Sequence, residues 1–129
     1  MSNFGSIGVS ASALRVFRTW MDSVSDNVAN INTARSTDDA AFQARYVVAS
    51  AVPTGGVVVR GIEHGDVEGR LVHDPDHPLA DEDGMVRFPD IDLGDQMTQL
   101  MIAQRGYQAN LAVVDRARDS YLQALRIGQ

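Results

Sequence analysis

Cysteine and lysine are both absent from this chain, and no apolar run approaches the ~20 residues that a helix needs to cross a bilayer. Without cysteine there can be no disulfide, no thiolate metal site and no thiol nucleophile. With no lysine, all 11 basic residues are arginine; they face 17 acids, for a formal charge of −6. No basic run stands out, so the charge balance is the opposite of what a nucleic-acid binder needs. Met1 to Gly8 lack the basic start and apolar stretch of a secretory signal, so export by the general secretory route is not expected. Neither a Gly-x-Ser-x-Gly elbow nor a glycine-rich phosphate loop occurs, and no internal repeat or low-complexity tract is visible.

Against those absences, 129 residues with 44% hydrophobic content are enough for one domain, or for a small domain with extended arms. The pattern changes twice along the chain. From about Ser10 to Ile31 the residues Leu14, Phe17, Met21, Val24, Val28 and Ile31 recur at alternating spacings of three and four, the signature of a helical heptad seam. Asn30, Asn32 and Thr33 then offer side chains that compete for backbone hydrogen bonds, so the helix should end there. From about Leu93 to Ile127 the same spacing returns in Leu93, Met97, Leu100, Tyr107, Leu111, Val114, Tyr121 and Leu125, with Gln104 and Arg118 at its two polar positions. Asp92 is placed as an N-cap, Asp95 adds an acid where the helix dipole favours it, and Gly128 marks the end.

Between the two seams lie β-branched runs at Phe42–Val52, Val57–Ile62, Val67–Val72 and Met85–Phe88, separated by Pro53-Thr54-Gly55-Gly56, by Gly65 and by Asp83-Gly84. These predict short strands joined by turns. The expected fold class is α+β: a helical segment over residues 1–33, a β-rich insert over 34–91 and a helical segment over 92–129, with the terminal helices paired like a coiled coil. A helix cannot bury such a seam alone. Both predicted helices also carry apolar residues off the seam: Val9, Val16 and Trp20 in the first, and Met101, Ile102, Val113 and Leu122 in the last. A two-helix hairpin would leave part of this surface wet, whereas neighbouring molecules or the β insert would cover it.

Three stretches carry a family resemblance. Asp26-Asn27-Val28-Ala29-Asn30-Ile31-Asn32-Thr33 resembles the sequence that closes the first helix of flagellar rod and hook proteins. Arg105-Gly106-Tyr107-Gln108-Ala109-Asn110-Leu111 is similar to the matching run in their last helix, and the Leu125–Gln129 end agrees as well. The segment His73–Asp81 through Gly84–Leu93 resembles the short proximal-rod members more than the hook or distal-rod members. The stretch Thr33–Arg45 departs from the family pattern, with Phe42 and Arg45 in the places where an aromatic residue and arginine are expected. Gly106 also departs, since glycine inside a helix costs about 1 kcal/mol relative to alanine.

The resemblance implies a structural subunit with no cofactor and no enzymatic activity. Such subunits self-assemble into the proximal rod of the flagellar basal body in the periplasm, a helical tube that transmits torque and walls the export channel. It implies export by the flagellar type III apparatus. It also implies contacts with other copies, with proximal and distal rod subunits, and with basal adapter and export-gate proteins, but no nucleic acid and no direct membrane insertion. The residues expected at the assembly interface are Leu14, Phe17, Met21, Val24, Asn27, Val28, Asn30, Ile31, Leu100, Tyr107, Asn110, Leu111, Val114, Tyr121 and Leu125. Asn27 and Asn110 are expected to hydrogen-bond across helix interfaces and fix register, as a buried amide does in a coiled coil.

Two rival readings come from other classes. His73, Asp74, Asp76 and His77 are a donor set that can bind zinc or another divalent ion, which would make the chain a small metal-dependent enzyme using His73 and His77. The two neighbouring prolines fit a solvated turn better. Asp81, Asp83 and Gly84 echo part of a calcium loop, but aligning Gly84 with the invariant glycine puts Leu79 at the first ligand position. The other rival is a monomeric helical adapter.

Overall fold

A computed structural model describes residues 3–128. Helix α1 covers Asn3–Ala29, followed by strands β1 (Arg45–Ala51), β2 (Val57–His64), β3 (Arg70–His73) and β4 (Met85–Phe88), and then by helix α2, Leu93–Ile127. The α+β class expected from the sequence holds: two long terminal helices pack together with a small antiparallel insert between them. The main difference in extent is at the start of α1, which begins seven residues before Ser10. Gly5 and Gly8 dilute the helical signal there, and packing rather than propensity sustains the extra turns.

The first helix stops where its amides turn inward. Asn30 Nδ2 donates to Asp26 O at 2.9 Å, and Thr33 Oγ1 donates to Asn30 Oδ1 at 3.1 Å. These side-chain bonds give the last turn partners that continued helix would not need. At the other end of the chain, Asp92 caps α2 by accepting from Asp95 N at 2.8 Å. With 35 residues, α2 is about 50 Å long.

The insert consists of two separate two-stranded sheets, β1–β2 and β3–β4, both antiparallel. Gly55 and Gly56 turn the first hairpin at φ of +100° and +97°, a backbone region that side chains disfavour. A bulge between Val48 and Ala49 shifts the register and bends this ribbon along α1. The second hairpin is stitched to the segment after α1 by a backbone bridge between Arg35 and Arg87, in which each N–H donates to the other's carbonyl at 2.8 and 3.0 Å. Val86 is fully enclosed there, and Arg70 lies over the Phe88 ring at 5.5 Å.

The layers are stacked in the order β1–β2 hairpin, α1, α2. Helix α1 packs on both the hairpin and α2, whereas α2 packs against α1 and no strand. Each face of α1 has its own fastening. Toward the hairpin, the Ser12 hydroxyl donates to Val9 O at 2.6 Å and accepts from Val57 N at 3.0 Å, pinning the start of β2 to the helix. Val16, off the seam by its spacing, is buried on this side.

Candidate assembly surface

Where α1 and α2 meet, the contact is made by small and polar residues of α2. Gln96 and Ala103 are its buried residues, and Asn110 and Ala117 continue the same line at intervals of seven, half-buried. Gly106 lies directly under Phe17: a methyl built on Gly106 would come within 2.4 Å of two ring carbons. The missing side chain lets the backbone of α2 approach the ring, which explains a glycine that is otherwise unfavourable in mid-helix. Trp20 stacks near Phe17 with centroids 6.1 Å apart, and its indole N–H donates to Gln99 Oε1 at 3.3 Å.

Asn27 is the polar centre of the pairing. It is 0% exposed. Its Nδ2 donates to Gln96 Oε1 at 2.9 Å and to Arg45 O at 3.0 Å, while its Oδ1 accepts from Arg45 N at 2.7 Å. One amide thus ties the end of α1 to the start of β1 and the first turn of α2. Beside it, on the surface, Arg45 forms an ion pair with Asp26 at 2.9 Å.

The arrangement divides the fifteen residues expected at the assembly interface into three groups. Val24 and Asn27 are closed off inside the subunit, at 1% and 0% exposure. In the subunit their surface is taken up by contacts within the chain. Leu14, Phe17, Met21, Val28, Asn30, Ile31, Leu100, Tyr107, Asn110 and Val114 are half-buried along the edges of the helix pair. Leu111, Tyr121 and Leu125 are exposed, at 40%, 48% and 50%. Within the subunit Asn110 Nδ2 donates to Gly106 O at 2.8 Å, one turn back on its own helix.

The heptad seam read along α2 is therefore not the line that faces α1. The facing line is rotated by about 75° from it, since it runs through residues 96, 103, 110 and 117. Much of the apolar seam of α2, Leu93 and Met97 included, is left outside, and with it the off-seam Met101, Ile102, Val113 and Leu122, all 42–51% exposed. Apolar spacing finds large side chains, whereas the close approach of two helices is set by small ones. The seven-residue recurrence of Gln96, Ala103, Asn110 and Ala117 was the available signal for this.

The rival histidine cluster occupies the turn between β3 and β4. His77 Nδ1 accepts from Leu79 N at 3.1 Å and its ring meets the Phe88 edge, so it is engaged in shaping the turn. Among the described residues no group of three His, Cys, Asp or Glu could hold a metal ion. Asp81 organises the same loop: its carboxylate accepts from Met85 N at 2.8 Å, Asp83 N at 3.0 Å and Thr37 Oγ1 at 2.9 Å. The Met85 amide, first among these donors, holds the Asp81 carboxyl below its ordinary value of 3.8. No helix among the described residues is long and apolar enough to cross a membrane.

Residues 82–127 match the family described as flagellar basal body rod FlgEFG protein C-terminal. Over nearly its whole length the chain is similar to proteins named flagellar basal-body rod protein FlgC. It is 32% identical to the one from Salmonella typhimurium strain LT2, covering 94% of each chain. It is 34% identical to the one from Yersinia enterocolitica and 31% identical to the one from Bacillus subtilis strain 168, covering 100% of each chain in both cases.

Proposed function

As this chain belongs to the FlgC family of flagellar basal-body rod proteins, we propose that its terminal helices build the wall of the proximal rod by packing against other copies and against neighbouring rod subunits. It is a structural rod component. The observation that carries the finer reading is the surface of α2. Its packing on α1 uses a narrow line of small and polar residues, and most of its large apolar residues between Leu93 and Leu125 are left 40–51% exposed. Contiguous apolar surface of this kind on a protein with a −6 charge marks an interaction site.

A wall of long helices suits the mechanical task. Helices about 50 Å long, interleaved between subunits, carry axial and torsional load through close-packed side chains. The β1–β2 hairpin, held on the far side of α1 from α2, is placed to make lateral contacts. On this reading the subunit lies in the periplasm, is delivered by the flagellar type III apparatus, lines the export channel, and touches the basal adapter and export gate at the rod's base.

Purified basal bodies from cells that carry a labelled copy of this chain test the proposal directly. Electron-microscopic maps should place the label in the proximal rod, with α2 enclosed by neighbouring helices. A label confined to the cytoplasm, or basal bodies complete without the chain, would overturn it.

A further inference from the structure

A second unfilled surface lies where α1 meets the β1–β2 hairpin. Between α1 and the β1–β2 hairpin runs an apolar groove of about 290 Å³, lined by Val16, Phe17, Trp20, Val47, Ala49 and Val57 among others. That is roughly twice the volume of the ~150 Å³ dry apolar cavity that takes up benzene. It can hold two bulky aliphatic side chains.

The chain carries a segment of matching chemistry. Asn27 meets Gln96; ten residues back along α1, Phe17 meets Gly106, ten residues on along α2. The helices are thus antiparallel with constant register, and Asn3 lies level with Ser120. Beyond that level α2 continues to Ile127 with no turn of α1 described alongside it. Leu122, Leu125 and Ile127 in this overhang are 42%, 50% and 87% exposed.

A chain cannot seat its own overhang in its own groove. Along the shared axis Leu122 lies about 18 Å beyond the level of Ala13, the nearest groove residue on α1, and α2 is continuous helix over that distance. We propose that the groove receives the Leu122–Ile127 end of α2 from a second copy of this chain, with Leu122 and Leu125 as the inserted side chains. The proposal rests on the assembly reading above and specifies one of its contacts.

Two consequences follow from the shape of this contact. Donor and acceptor are different surfaces of the same molecule, so each copy can receive one neighbour and insert into another. Such a heterologous contact closes into a ring or runs on as an open helix. The three overhang side chains expose on the order of 350 Å² in all, well below the ~800 Å² per partner of a standard stable interface. The contact is therefore weak as an isolated pair and becomes persistent only where further contacts in the assembly hold both copies.

The absence of cysteine makes a clean test available. Two versions of the full chain, Ala51→Cys and Arg126→Cys, each beside the contact and outside it, are produced together in flagellated cells that lack their own copy, and isolated basal bodies are treated with a short bis-maleimide. Both positions are exposed, so neither change disturbs the core. A dimer containing one of each variant is expected at least ~10-fold above the Ala51→Cys and Glu82→Cys control pair, because a fixed contact raises effective concentration. Motile cells with both variants in the basal body and no dimer above control would overturn the groove contact and leave the assembly reading standing. If the unaltered chain does not enter basal bodies, both fall.

Discussion

Replacing Asn27 by alanine is the sharpest test of how this subunit holds together. The side chain is fully enclosed and makes three hydrogen bonds, to the N–H and carbonyl of Arg45 and to the Gln96 amide. Each bond contributes about 1 kcal/mol net, and each partner left buried without a replacement adds a desolvation cost of about 1–3 kcal/mol. A water entering the vacated space recovers part of this, since the site is polar and offers several partners. The expected loss is about 3–5 kcal/mol, a large share of the ~5–15 kcal/mol that stabilises a domain. Urea denaturation of the dilute protein, followed by circular dichroism at 222 nm, measures it. Asn30→Ala is the matched control: that residue is half-buried, and its bonds to Asp26 O and Thr33 are local to the end of α1. It should lose less than about 1 kcal/mol. If Asn27→Ala unfolds within about 1 kcal/mol of the unaltered chain, the account of a buried amide joining three elements is wrong.

The other predictions concern both packing faces and the β3–β4 loop. Gly106→Ala should destabilise the helix pair by about 1–2 kcal/mol in the same denaturation assay, because displacing the Phe17 ring outweighs the ~1 kcal/mol helix-propensity gain; a stabilised variant would show that the ring yields freely. Leu111→Asp should cost the dilute subunit only about 1–2 kcal/mol, since Leu111 is 40% exposed, yet should abolish motility by placing a charge in the assembled wall; normal swimming would remove this residue from the interface. The Asp81 carboxyl is held below its ordinary value, so its stabilising contribution is complete above the unfolded value near 3.8 and is lost as pH falls through the lower folded value. The Met85 amide should therefore show hydrogen-exchange protection that does not change between about pH 5 and 8, where Asp81 stays charged, with opening only below about pH 4. Asp81→Ala should remove that acid transition, and an unchanged transition would assign it to another group.

The helix–strand–helix layout was legible because each element had its own periodicity. The β4 run Met85–Phe88 and the α2 run from Leu93 to Ile127 coincide with the observed elements, and Asp92 caps α2 as its position implied. Strands β1 and β3 begin three residues later than the β-branched runs that start at Phe42 and Val67. In the structure Ala41 N–H bonds to Val67 O and Gly65 N–H to Ala44 O, so these residues are paired as connecting segments outside the regular ladders. Which face of α2 turns inward was not legible from the large residues. Leu111 and Leu125 looked like a core line, but a helix pair chooses its contact by closest approach, and Gly106 and Ala103 permit an approach that leucine would block. The buried role of Asn27 and the local role of Asn110 have a similar origin. The same side chain serves either purpose, and what decides is whether a foreign donor and acceptor lie within 3 Å, which depends on where β1 begins.

The two sets of residues on α2 answer to different constraints. Gln96, Ala103 and Gly106 hold the subunit together, and their small size or amide chemistry makes them poor anchors for a partner. Met97, Met101, Leu111 and Leu125 add little to the isolated fold, because roughly half of each remains in water. Covering the half that remains is worth about 0.7–1.5 kcal/mol per side chain, gained only once a neighbour arrives. Had the large residues faced α1, the pair would have been tighter but α2 would have presented a polar surface to its neighbours. Placing a small, partly polar line inside keeps the greasy surface for association. Charges interleaved along the same helix, such as Arg105, Asp115, Arg116 and Arg118, limit indiscriminate sticking of that surface.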